Sequence, residues 1–165
     1  MKEQHSSSHL KSFKKIPMKK EELFVDVLLV AENSEDSKIT INALKEGNKK
    51  MRLLHLKDGE DALNFIFAKK HYENQKIQND LKLVLLDLKL PKIDGLEILR
   101  KIREDKRTKT LPVVIITSAK DPGIAEAYNH GVNSYVVKNK GIDIFFKTLS
   151  TLGFYWTVLN EKPEQ

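Results

Sequence analysis

Leu81-Lys82-Leu83-Val84-Leu85-Leu86-Asp87-Leu88-Lys89-Leu90-Pro91-Lys92-Ile93-Asp94-Gly95 is the stretch on which the fold reading turns. Residues 81–86 form a short apolar run broken by one lysine. That is the pattern of a strand buried on both faces. Asp87 ends it abruptly. Asp94 and Gly95 then open a helix, because a carboxylate at the N-cap accepts a hydrogen bond from an otherwise orphaned backbone N–H. Leu96, Ile98, Leu99 and Ile102 follow at the spacing of one buried helix face.

The same strand–helix unit recurs in both directions. Upstream, Phe24 to Val30 is a nearly continuous apolar run. Residues 34–44 carry Ile39, Ile41 and Leu44 on one helical face, with Asn33 or Ser34 as the cap and Gly47 as the stop. A second strand is expected over 51–56, a turn at Asp58-Gly59, a helix over 60–70 and a polar surface connection over 72–80. Downstream, Pro112 precedes a strand over 113–116, and a helix runs from about Pro122 to His130, stopping at Gly131. Residues 134–137 make the fifth strand and Ile142 opens the last helix. Five strands alternating with five helices through short connections require a parallel α/β sheet with helices on both faces.

Composition narrows the chemistry. With no cysteine, disulfides and thiolate metal sites are excluded. No apolar run reaches the roughly 18 residues of a bilayer span. The basic N-terminus lacks the apolar core of a secretory signal, so the cytoplasm is the default location. The formal net charge is +6, and residues 1–22, with six lysines and three acids, hold half of the excess. Residues 1–22 read as a disordered basic tail in which His5 and His9 have no specific role. No helix shows the dense basic stripe with interleaved aromatics of a nucleic-acid binder, and neither nucleic acid nor membrane is an expected partner.

In open α/β sheets ligands bind outside the carboxyl ends of the strands. Those ends carry Ala31 and Glu32, Asp87, Thr117 and Ser118, and Lys138. Carboxylates beside a hydroxyl and an ammonium suit Mg²⁺ with phosphate oxygens. In order, the segments 27–30, 85–95, 114–119 and 135–138 resemble the signature segments of response-regulator receiver domains, over about residues 23–153. The long second connection, and Phe154-Tyr155-Trp156 after the last helix, are most similar to the stand-alone, phytochrome-associated subgroup. The resemblance implies a flavodoxin-like, doubly wound (βα)₅ sheet of strand order 2-1-3-4-5, with 154–165 as a short C-terminal extension. It also implies that Asp87 accepts a phosphoryl group from a histidine kinase. Mg²⁺ would be held by Asp87, Glu32 and the main-chain carbonyl of Lys89. Lys138 and Thr117 would bind phosphoryl oxygens, and Tyr135 would be the aromatic switch. Such a domain is a phosphoacceptor with at most an intrinsic autophosphatase activity, not an enzyme in the usual sense.

The chain departs from that pattern where receivers usually present two adjacent acids. Ala31 adds no charge, and Glu32 carries an extra methylene where the metal ligand is normally aspartate. Mg²⁺ demands near-ideal octahedral geometry, so weak binding is expected. Asn139 stands where a proline is common. Two readings follow. The domain is a working phosphoacceptor, or it is a receiver-shaped interaction module that acts without phosphorylation. A hydrolytic phosphatase would want a second acid where Lys89 stands. Output is expected through docking, either onto another protein or onto a second copy. The second-copy face would be that of the fourth helix, fifth strand and fifth helix, with Tyr135, Phe145, Phe146 and Trp156; alternatively, Phe145, Phe154 and Trp156 only seal the core.

Overall fold

The computed structural model describes residues 23–32, 34–74, 80–118 and 123–164. The expected tail over 1–22, the Asn33 cap and the Pro122 start of the fourth helix lie outside them. The strands are β1 (Val27–Val30), β2 (Leu53–Leu56), β3 (Leu83–Asp87), β4 (Val113–Thr117) and β5 (Ser134–Val137). The helices are α1 (Glu35–Gly47), α2 (Gly59–Ile66), α3 (Gly95–Glu104), α4 (Ile124–Asn129) and α5 (Ile142–Phe154). All strand pairs are parallel, in the order β2-β1-β3-β4-β5.

The apolar runs of the strands are explained by two cores. Successive strand residues point to opposite faces, so Leu28, Val30, Val84, Leu86, Val113 and Ile115 pack under α2, α3 and α4. Val27, Leu29, Leu83, Leu85, Val114 and Ile116 pack under α1 and α5, against Ala43, Leu44, Phe145 and Leu149. Burying a side chain of this size contributes about 1.5–3 kcal/mol, and every inner residue of β1, β3 and β4 is buried.

Several local expectations change. Asp58 does not form a free turn; it caps α2, accepting from the Asp61 N–H at 2.8 Å. α2 ends at Ile66 rather than Lys70, because Ala68 and Lys70 take positive φ (51° and 54°) and a 3₁₀ turn, Lys70–Tyr72, folds back. Tyr72 is therefore half-buried, edge-on to Phe65 at 5.3 Å, not part of an open surface connection. Gly47 does not stop α1 with a left-handed cap. It is the helix's last residue, and a Cβ there would lie 2.1 Å from the Ser150 carbonyl oxygen. Gly47 is glycine so that α1 and α5 can touch. Of the two placements open for these aromatics the core holds for Phe145, buried between α1 and α5, while Trp156 is half-buried and packs against the same cluster. Ser34 does cap α1, accepting from the Ser37 N–H. α5 runs on into a π turn, Tyr155–Leu159.

Candidate functional site

Asp87, the last residue of β3, stands beside Ile116 of β4 in the ladder. Thr117 ends β4 next to Val137, and Lys138 begins the 3₁₀ turn after β5. The register thus brings a carboxylate, a hydroxyl and an ammonium to neighbouring strand ends. Asp87 Oδ2 lies 3.6 Å from Lys138 Nζ, and among the described residues its Oδ1 takes a long bond, 3.4 Å, from the Lys89 N–H. Side-chain exposure is 23% for Asp87 and 17% for Lys138, so both charges sit at a half-enclosed edge rather than free in solvent. Thr117 is buried beside them.

The acceptor loop after Asp87 is shaped by its sequence. Asp94 caps α3, accepting from the Glu97 N–H at 3.0 Å. The Gly95 N–H reaches back to the Leu88 carbonyl at 2.9 Å. A Cβ on Gly95 would meet the Asp87 carbonyl oxygen at 2.3 Å. Glycine there lets α3 begin directly against the strand end, which fixes where Asp87 points. Across the loop, the Gly59 N–H donates to the Pro91 carbonyl, and Lys92, with φ of 68°, bridges Asp58 and Glu60.

The β1 end differs. Ala31 is buried, its N–H bonded to the Leu56 carbonyl and its own carbonyl accepting from His55 Nε2–H at 2.8 Å. Glu32 is exposed and lines a shallow depression with Lys89, Asp94 and Leu96; its carbonyl accepts from the Ser37 hydroxyl. Tyr135 is turned inward: its ring packs against the α2–α3–α4 core and its hydroxyl oxygen is closed off from solvent.

Sequence reading missed two participants. Asp36, in the first turn of α1, places Oδ2 3.7 Å from Lys138 Nζ. An acid in a first helical turn is ordinarily explained by the helix dipole, so nothing local marked it. His55 was legible only through the register, which pairs it with Leu29, two residues before Ala31.

The donors available to Mg²⁺ are the Asp87 carboxylate, the Lys89 carbonyl and the Glu32 carboxylate. All are hard oxygens, in the small number that Mg²⁺ takes when it keeps several waters. Among the described residues no three acidic or histidine side chains already converge as a metal cage. The set fits a cation completed by water and phosphate oxygens.

Comparison with known proteins agrees with this architecture. The family model of the response regulator receiver domain matches residues 27–149. The response regulator Rcp1 of Synechocystis sp. is 33% identical over 131 residues, covering 79% of this chain and 87% of its own. Among solved structures, the phosphorylated cyanobacterial phytochrome response regulator RcpA superposes with a TM-score of 0.73 at 25% identity, covering 85% of this chain and 99% of its own. The Mn²⁺-bound form of Rcp1 gives 0.70 at 29%, covering 84% and 99%. With the sheet order, the strand-end cluster and this match in agreement, the chain belongs to the response regulator receiver family of two-component systems.

Proposed function

We propose that this receiver accepts a phosphoryl group on Asp87 from the phosphohistidine of a histidine kinase and signals by docking. The observation that carries the reading is the half-enclosed Asp87 carboxylate, which among the described residues has long contacts to its oxygens, an ammonium at 3.6 Å being one of them. A carboxylate meant only to stabilise the fold would have its lone pairs taken up by close donors.

In the step itself, an Asp87 carboxylate oxygen forms the new O–P bond as the N–P bond to the kinase's imidazole breaks. The electron pair stays with the leaving nitrogen, and the product is an acyl phosphate. Phosphoryl transfer depends on positioning and on stabilising negative charge spread over the transferred oxygens. Lys138 supplies a fixed cation and the Thr117 hydroxyl a donor. Mg²⁺ held by Asp87, Glu32 and the Lys89 carbonyl would supply the remaining charge neutralisation. Hydrolysis of the acyl phosphate would be the only intrinsic activity.

One of the solved structures named above, RcpA, is a cyanobacterial phytochrome response regulator, and a kinase of that type, in the cytoplasm, is the partner we propose. The receiver unit spans residues 23–153, with 154–165 as an extension. Docking or self-association through α4, β5 and α5 would use Tyr128, Ile142 and Ile144, which are exposed apolar side chains of α4 and α5. Tyr135 would act as the switch by responding to Thr117.

A second reading, an interaction module that works without phosphate, is favoured by Ala31 and by the exposed position of Glu32. Amide NMR separates the two. Amides at the site are followed rather than the single tryptophan, because Trp156 lines a groove with Leu81 and Pro112 at the opposite ends of the strands. Beryllofluoride with Mg²⁺ is expected to shift the amides of Leu88 and Lys89 saturably in the wild type and not in Asp87→Asn. Absence of a shift in the folded wild type at millimolar Mg²⁺ would leave the interaction module as the reading.

A further inference from the structure

Lys138 lies between two carboxylates, not one. Its Nζ is 3.6 Å from Asp87 Oδ2 and 3.7 Å from Asp36 Oδ2, neither close enough for a hydrogen bond, and the ammonium is shared almost evenly. Asp36 and Lys138 are brought together only by the fold, across α1 and the β5 end. Asp36 is 54% exposed, yet its carboxylate turns toward a lysine that is mostly enclosed. The two legs to Nζ cap the separation of the Asp36 and Asp87 oxygens at about 7 Å, a range over which unit charges interact appreciably. The main chain around Asp36 is pinned as well: its carbonyl accepts from the Thr40 hydroxyl at 2.7 Å, while Ser34 caps the helix.

We propose that Asp36 is a second anionic pole of the acceptor site. It shares Lys138 with Asp87 in the resting domain and releases it when Asp87 is acylated. It thereby stands in electrostatically for the charge that Ala31 does not provide. This inference rests on the phosphoacceptor reading and makes Asp36 a positioning residue, acting through Lys138. It has two consequences of opposite sign. A fixed negative charge near the site favours a cation and opposes an added anion, and it also competes with that anion for Lys138. Replacing the charge with a neutral side chain of the same shape must therefore weaken one ligand and strengthen the other.

The test is Asp36→Asn and Asp36→Glu in the full chain, each titrated twice by amide NMR. Mg²⁺ is added alone, then beryllofluoride at saturating Mg²⁺. Asp36→Asn is expected to bind Mg²⁺ about three- to tenfold more weakly and beryllofluoride more tightly by a similar factor, both shifts shrinking as ionic strength rises. Asp36→Glu is expected to stay near wild type in both. A purely structural role for Asp36 would move both affinities in the same direction. That result, or no change in either, overturns the proposal. If wild type binds beryllofluoride and Asp36→Asn shows no opposed shifts, only the role of Asp36 falls. If wild type does not bind it, the phosphoacceptor reading falls and the exchange of Lys138 falls with it.

Discussion

Asp26 and Asp87 flank neighbouring strands at opposite ends of one sheet, and their surroundings differ in kind. Asp26, just before β1, is 5% exposed. Its Oδ2 accepts from the Arg52 N–H at 2.8 Å and from Arg52 Nε at 3.1 Å, its Oδ1 from Arg52 Nη2 at 3.0 Å, with Lys82 Nζ at 3.8 Å. Burial pushes the Asp26 carboxyl up, but the Arg52 hydrogen bonds and the Arg52 and Lys82 charges outweigh it and hold the group below the usual carboxylate range. Asp87 has one ammonium at 3.6 Å and one long N–H bond. The first carboxylate is saturated with donors and ties the starts of β1 and β2 together. The second keeps its oxygens available. Stability and reactivity are thus assigned to different aspartates of the same fold.

Breaking the saturated end should have the largest effect on stability. Asp26→Asn removes a charge-assisted pair, and because Arg52 is half-exposed its charge can return to water. The expected loss is about 2–3 kcal/mol in urea unfolding, with beryllofluoride binding by the folded fraction unchanged. A loss of binding at full stability would reverse the assignment of the two ends. Gly95→Ala attacks the other end through its backbone. The added Cβ must displace the Asp87 carbonyl or the start of α3, so a loss of about 1–2 kcal/mol is expected, together with weaker beryllofluoride binding. Unchanged binding would show that the loop does not aim Asp87.

The smallest effect sharpens the contrast through pH. A lowered folded-state pKa gives stability that is fully present above the unfolded value, 3.8 for an ordinary aspartate, and is lost as pH falls through the folded one. The stability gap between wild type and Asp26→Asn should therefore be constant near neutrality and close on acidification below pH about 4. A gap that does not change with pH would mean the pair contributes by shape rather than charge.

Much of this was legible in the sequence, for physical reasons. Strands buried on both faces leave continuous apolar runs, and β5 falls where its run does. β2 starts two residues later than its run, because Met51 is buried while its N–H bonds to the Asn48 carbonyl rather than to a strand. The end of α2 was not legible. Residues 67–70 are mostly good helix formers, and it is the packing of Tyr72 on Phe65 that turns the chain. At the site, the strand-end residues could be named because topology alone gathers them. Asp36 could not, since its meeting with Lys138 depends on how α1 leans toward the β5 end. Phe145 fits either an interface or the core as long as the facing of its helix is unknown, and the packing of α5 on α1 decides for the core.

The most direct test of the central claim is covalent. The full chain would be incubated with phosphoramidate, a small phosphoryl donor with the N–P bond of phosphohistidine, in Mg²⁺. Intact mass and borohydride trapping, which reduces an aspartyl phosphate to homoserine, then locate the product. The account predicts one phosphoryl group per chain, homoserine at position 87, and no label in Asp87→Asn. An unlabelled wild type, or a label at any other carboxylate, would contradict it.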